Sequence, residues 1–260
     1  MAIVLLVAVD FAAASAAEYQ VSNRMREQLA LPDDPAVKIN GFPFLAQAIA
    51  GDYKKVDVSA DRLTVGQLHE VGVRAELYHV RVPFQEVLSG SPTIHVDNAQ
   101  GSVLITNTDL VKQLSGVTKL NISAVDYGAL DVALQDKADA TPGSSLTGIS
   151  PDQAVRLVAT TSVLGRQMNV TVIAALQLSG RQIQISPRDI RVGTGSDAAR
   201  LPQVVQTGLR GLFTFRIDPG MLPFHVTPTR LQAVDNGLLI TGVARDLVLN
   251  PSTTSMRAEN

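Results

Sequence analysis

The sequence predicts an α+β protein in which one long N-terminal helix packs against a long, strongly curved, mainly antiparallel sheet. An Ala-rich stretch from Phe11 to Leu31 sets Val21, Met25 and Leu29 four apart on one helical face and stops at Pro32 and Pro35. From Lys55 onward the apolar period changes to two, in runs longer than most globular strands. Strand-like and helix-like segments do not alternate regularly, which argues against a doubly wound parallel sheet.

The elements follow in order. Met1 to Val9 is a continuous apolar run, with Asp10 the single charge before small residues from Ala12 to Ala17. This segment reads as a signal remnant, with Ala12–Ala14 or Ala14–Ala16 as the small-residue cleavage pattern, as an anchor, or as the start of the long helix. Residues 18–260 read as a single domain. Val37 to Ile39 is a short strand, and Phe44 to Ala50 a two-turn helix with Gly51 in the position that ends helices. Val56 and Val58 alternate with Asp57 and Ser59, and Val71, Val73, Ala75 and Leu77 with Gly72, Arg74 and Glu76. At Leu77-Tyr78 the apolar phase flips, which predicts a bulge. Pro83 to Gly90 reads as a helical link. Two strands, Thr93–Asp97 and Ser102–Thr106, follow with a turn through Asn98 and Gly101, then a helix capped at Asn107-Thr108.

Leu120, Ile122 and Ala124 make a further strand, and Ala138 to Ser150 is a Thr/Pro/Gly/Ser-rich loop. Met168, Val170, Val172, Ala174, Leu176 and Leu178 line one face of a long strand that turns at Ser179-Gly180 into Ile183 and Ile185. Leu201 to Phe213 reads as a helix. The end is a hairpin, Phe224–Val234 with Leu238–Leu249, joined at Asp235-Asn236-Gly237.

Composition narrows the function. The 260 residues carry 45% hydrophobic and 18% charged side chains, a mean hydropathy of +0.16 and a formal net charge of -2. No basic run or aromatic-interleaved cationic stripe is present, so nucleic acid is excluded as a partner. The absence of cysteine removes disulfides, thiol nucleophiles and Cys-ligated metals. His69, His79, His95 and His225 are scattered without metal-ligand spacing. No G-x-S-x-G elbow exists, and Gly193-Thr-Gly195 lacks the third glycine of a dinucleotide loop. No catalytic residue, metal or cofactor is expected.

What remains is a surplus of apolar sheet face over helices to cover it. That surface reads either as core or as a cavity for acyl chains. Seven Phe, four Tyr and no Trp are present in all, yet Phe42, Phe44 and Tyr53 cluster around the short helix.

Pro35-x-Val37-x-Ile39-x-Gly41-Phe-Pro-Phe-Leu45, followed by Gly51-x-Tyr53 and Val56-x-Val58, resembles the opening of the LmeA-like family of actinobacterial cell-envelope proteins. Leu222-Pro223, the Asp235–Ile240 hairpin and the closing Asp246–Leu249 strand extend the resemblance from about Ala12 to Leu249. It implies an exported, membrane-associated, non-enzymatic protein of the periplasm that binds phospholipid and supports elongation of mannan glycolipids such as lipomannan and lipoarabinomannan. It also implies a tubular lipid-binding fold similar to the bactericidal/permeability-increasing class. A membrane mannosyltransferase is an implied partner, beside an anionic phospholipid and the membrane surface. Two alternatives stand next to this: an envelope glycolipid hydrolase or transferase, and a structural adaptor for a membrane glycosyltransferase. For acyl contact the expected residues are Phe42, Phe44, Leu45 and Ile49. For the headgroup they are Tyr53, Lys54 and Lys55, because cationic and hydroxyl groups beside an apolar mouth complement phosphate.

Overall fold

The computed structural model describes residues 1–65, 68–83, 92–114, 116–125, 149–163, 166–179, 182–194, 199–201, 203–217 and 227–249. The expected link at 83–90 and loop at 138–150 lie almost wholly outside these residues, as does the start of the hairpin at 224–226. The fold is α+β, with a long N-terminal helix and two antiparallel sheets that do not close into a barrel.

Helix α1 (Ala2–Leu29) is continuous, so the apolar first residues and the Ala-rich stretch form one element. Ala30 ends it in the left-handed conformation, its N–H donating to the Arg26 carbonyl, and Pro32 and Pro35 keep the chain extended beyond. Strand β1 (Ala36–Asn40) follows, then α2 (Phe44–Ala50), closed by Gly51 at φ 66°. Strands β2 (Asp52–Val65), β3 (Leu68–Arg81) and β4 (Ile94–Thr106) continue the first sheet, which β11 (Thr227–Val234) and β12 (Gly237–Leu249) complete in the order β1-β2-β3-β4-β12-β11. The turn expected through Asn98 and Gly101 is absent: β4 runs straight through both residues because β3 and β12 pair with it on either side.

Helix α3 (Asn107–Gln113) leads into the second sheet, with Thr106 rather than Asn107 as its cap. That sheet has the order β10-β8-β7-β6-β5, from β5 (Val117–Ala124), β6 (Ala154–Val163), β7 (Arg166–Ser179), β8 (Gln182–Val192) and β10 (Phe215–Ile217), with β9 (Ala199–Arg200) beside β8. Helix α4 (Gln203–Phe213) packs on β8.

The main core lies where the second sheet meets one end of the first. Leu157, Val170, Val172, Ile183, Ile185 and Phe213 are fully buried there against Ile105, Leu238 and Ile240. Each such side chain contributes about 1.5–3 kcal/mol. A smaller cluster of Val80, Val96, Ala99 and Ala244, with Tyr53, Val56, Leu77 and Leu247 packed on it, holds the other end of the first sheet.

Within this smaller cluster the first sheet carries a crease. The β3–β4 register runs from Tyr78–Asn98 to Val80–Val96, and the β4–β12 register from Arg245–Asn98 to Leu247–Val96. His79, Asp97 and Asp246 therefore share one unpaired level, as does Lys54 on β2, whose N–H donates instead to Gln47 Oε1 at 3.0 Å. His79 and Asp246 take φ of 52° and 51°. This corrects the bulge expected at Leu77-Tyr78: no residue is inserted, because one left-handed residue already breaks the alternation. Leu77 and Val80, three apart, then join the same cluster, as do Tyr53 and Val56, Val96 and Ala99, Ala244 and Leu247. The register shifts of β2 against β3 lie instead between Ala60 and Leu63, at Arg62 with φ 58°, and between Leu63 and Val65.

Candidate functional site

Because the crease restores the phase, the first sheet keeps one apolar face along its whole length. Its transverse rows follow from the registers. Val58, Ala75, Gly101 and Gly242 stand opposite one another in one row, with Ala60, Val73, Val103 and Ile240 on one side of it and Val56, Leu77, Ala99 and Ala244 on the other. The reverse face carries Asp57, Ser59, Arg74, Glu76, Gln100, Ser102 and Arg245. Such one-sided alternation is what a sheet with one wet face requires.

Coverage of the apolar face is incomplete. Ile105, Leu238 and Ile240 are buried under the second sheet, and Val80 and Val96 within the smaller cluster, yet Val58, Ala60, Val73 and Ala75 between them are half-buried. α2 packs on β2 and α1 on β1 and α2, at the sheet edge. The row through Ala75, Gly101 and Gly242 carries small side chains or none, so the face is shallow there. From the half-buried Val56–Leu77 pair to the Ala60–Val73 pair is four residues, or about 13 Å of strand. One leaflet of a bilayer core, the span of one acyl chain, is about 15 Å.

One end of this face is closed by α2. Phe44 is 6% exposed and packs on Tyr53 with ring centroids 6.2 Å apart. Gly41 at φ 113° brings the backbone against the Gln47 amide, where a Cβ would lie 2.8 Å from Nε2. Gln47 is itself buried, its Oε1 held by the Lys54 N–H. Pro43 offers no side-chain cap to α2, and the cap comes from α1: Asp10 Oδ2 accepts the Phe44 N–H and Oδ1 the Leu45 N–H, each at 2.8 Å. Two further polar residues of the same helical stripe continue the attachment. Glu18 accepts the Ile39 N–H, and the Ser22 hydroxyl donates to the Pro35 carbonyl. Residues four or eight apart fall on one side of a helix, so α1 is fastened along one edge by a row of hydrogen bonds.

The seven expected contact residues divide accordingly. Phe44 and Tyr53 meet at the end of the apolar face, with Leu45 half-buried beside them. Phe42 is exposed and stacks on Phe11 of α1 at 6.2 Å, and Ile49 is 82% exposed. Burial pushes the Tyr53 phenol above its ordinary value, so it stays protonated and able to donate. Lys54 is exposed at the crease. Lys55 belongs to the reverse face: its ammonium pairs with Glu76 at 3.1 Å and Asp57 at 3.2 Å and lies 5.5 Å from the Tyr78 ring centroid. Hydrogen bonds to Glu76 and then Asp57 raise the Lys55 ammonium above its usual range, while the Tyr78 hydroxyl, and then Lys55, hold the Glu76 carboxyl below its own. The structure thus brings Tyr53 and Lys54 to the apolar end and keeps Lys55 in a separate charged network.

Sequence reading missed Asp10 as a structural ligand and Gln47 as a buried one. The signal for Asp10 was present, a lone charge in an apolar helix, but its partner lies thirty-four residues on. Among the described residues no group of His, Asp and Glu is placed to hold a metal ion.

A family model described as LmeA-like phospholipid-binding matches residues 8–243. No curated protein and no solved structure matches the chain.

Proposed function

The chain belongs to the LmeA-like phospholipid-binding family, and from that premise we propose that it binds a phospholipid, without enzymatic turnover, by laying an acyl chain along the half-covered face of the first sheet. The supporting observation is the stretch of that face between its two packed ends, where Val58, Ala60, Val73 and Ala75 are only half-buried beside Gly101 and Gly242. An apolar face wide enough for a chain, with few polar groups at one end, is the usual make-up of a lipid site. Each methylene buried on it contributes about 0.8 kcal/mol relative to water.

In this reading Phe44 and Leu45 wall the end of the trough, and Tyr53 and Lys54 meet the headgroup. Lys54 favours an anionic phosphate. Phe42 and Ile49 stand outside the trough, facing away from the core. Export to the cell envelope, support of lipomannan elongation and work beside a membrane mannosyltransferase complete the proposal, carried by the resemblance of Gly41–Leu45 and Gly51-x-Tyr53.

Native mass spectrometry of the protein released gently from membranes tests the core of it. A bound mass equal to a phospholipid, lost on solvent extraction, is the expected result. Protein that carries no lipid and takes up none from vesicles overturns the reading.

A further inference from the structure

We infer that the first part of α1 is immersed in a lipid bilayer and that the edge of the hydrocarbon falls between Val9 and Phe11, with Phe42 and Ile49 resting on the surface. The inference takes its partner from the phospholipid reading above, but its geometry stands on α1 itself. Ile3, Val4, Leu5 and Leu6 are 78, 72, 68 and 66% exposed. Four consecutive helical residues point about 100° apart and so cover the whole circumference. The groove of a partner protein covers one side of such a helix, whereas hydrocarbon covers all of it.

One turn later the character of the helix changes. Asp10 is 4% exposed and holds two backbone N–H groups of α2, and Glu18 and Ser22 hold the chain at 35–39. Length and composition allow a span from Ile3 to Leu29. With the domain folded, such a span would carry α2 and β1 into the hydrocarbon together with a carboxylate, which is costly at that depth. The immersed segment therefore ends before Asp10. At that level Phe11 stacks on Phe42, both rings more than half exposed, two residues before the short helix α2 that carries the exposed Ile49. Aromatic rings at the level of the headgroups are a recurrent membrane anchor. A second consequence is that Asp10 and Phe11 remain in the mature chain, so cleavage at Ala12–Ala16 does not occur.

The chain contains no tryptophan, so an introduced indole is an unambiguous probe. Leu6→Trp, Phe42→Trp, Ile49→Trp and Tyr19→Trp, each in the full chain, are mixed with phosphatidylcholine/phosphatidylglycerol vesicles carrying acyl chains brominated at known depths. Deep bromines should quench the probe at position 6, shallow ones those at 42 and 49, and neither that at 19. Equal deep quenching at 6 and 19 would show a span and overturn the inference. So would silence at 42 and 49, or a concentration-dependent blue shift at position 6 without vesicles, which would mark a second copy as the partner. Intact mass of membrane-isolated protein must include Asp10. Lipid that still co-purifies while 42 and 49 stay silent would sink this inference and leave phospholipid binding standing.

Discussion

His79 on β3 and Asp246 on β12 hold the same left-handed backbone conformation on either side of Asp97, at the level where both ladders lapse. Neither is glycine, and that conformation costs an ordinary L-residue about 1–2 kcal/mol. His79→Gly and Asp246→Gly are therefore expected to unfold at the same temperature as the parent chain or higher. His79→Val, β-branched, should lose about 1–2 kcal/mol. Urea denaturation measures both, and a stable valine variant would show that the crease relaxes without cost.

Removing the Asp10 carboxylate leaves two amide donors of α2 without their charged acceptor. Hydrogen bonds to charged groups contribute about 1.5–3 kcal/mol, so Asp10→Ala should cost about 2–4 kcal/mol locally. Amide exchange at Phe44 and Leu45 then accelerates by about a hundredfold, at roughly 1.4 kcal/mol per factor of ten. Asp10→Asn should lie between the two. Exchange in the second sheet, at Leu157 for example, stays unchanged.

Filling the shallow row tests the trough directly. A Cβ on Gly101 would meet the Arg74 carbonyl oxygen at 3.8 Å, an ordinary contact, so there is space to build outward. Gly101→Leu combined with Ala75→Leu should fold and lose co-purifying lipid by about tenfold or more. Arg74→Ala, on the reverse face, serves as the control and should retain it. Equal retention by the double variant and the control places the lipid elsewhere.

The Glu76 network makes a pH prediction whose sign is fixed. Its carboxyl is held below the ordinary value of 4.5, chiefly by the Tyr78 hydroxyl and then by Lys55. A depressed carboxylate contributes stability above its unfolded pKa and loses it as pH falls through the folded value, so the effect vanishes on the acid side of 4.5. In a carbon-detected titration Tyr78→Phe should move the Glu76 midpoint back toward 4.5 further than Lys55→Met does. The reverse order would make the ammonium the principal cause.

Gly41 sits at φ 113° with Gln47 pressed against its Cα. Gly41→Ala brings both backbone strain and a 2.8 Å contact, and strain of that kind costs about 1–3 kcal/mol. A lowered thermal midpoint together with faster exchange at Lys54 is the expected result.

Much of this architecture can be read from the chain. Periodicity located α1, β1, α2 and the long alternating strands, and Gly51 marked the end of α2. Period-two reasoning failed at Leu77–Val80 because a left-handed backbone and an inserted residue leave the same trace in an apolar pattern. It failed at Asn98–Gly101 because turn-forming residues in a central strand are overruled by ladders on both sides. The meeting of Phe44 and Tyr53 was legible, because scarce aromatics gather there. The separation of Lys54 from Lys55 was not, since it depends on the crease, which shifts one residue out of the ladder and sends the next to the opposite face. Asp10 stayed hidden because capping from a distant helix leaves no local spacing.

The groups that Asp10, Glu18 and Ser22 of α1 hold, the N–H of Ile39, Phe44 and Leu45 and the carbonyl of Pro35, all belong to the main chain. These hydrogen bonds therefore recognise the path of residues 35–45, and side chains enter the junction through the Phe11–Phe42 stack and the Arg26–Asp34 ion pair. Substitutions at Ile39 and Leu45 leave these main-chain bonds in place, so α1 keeps its seat through Asp10, Glu18 and Ser22. Side-chain change at these positions and the seat of α1 are in this way independent.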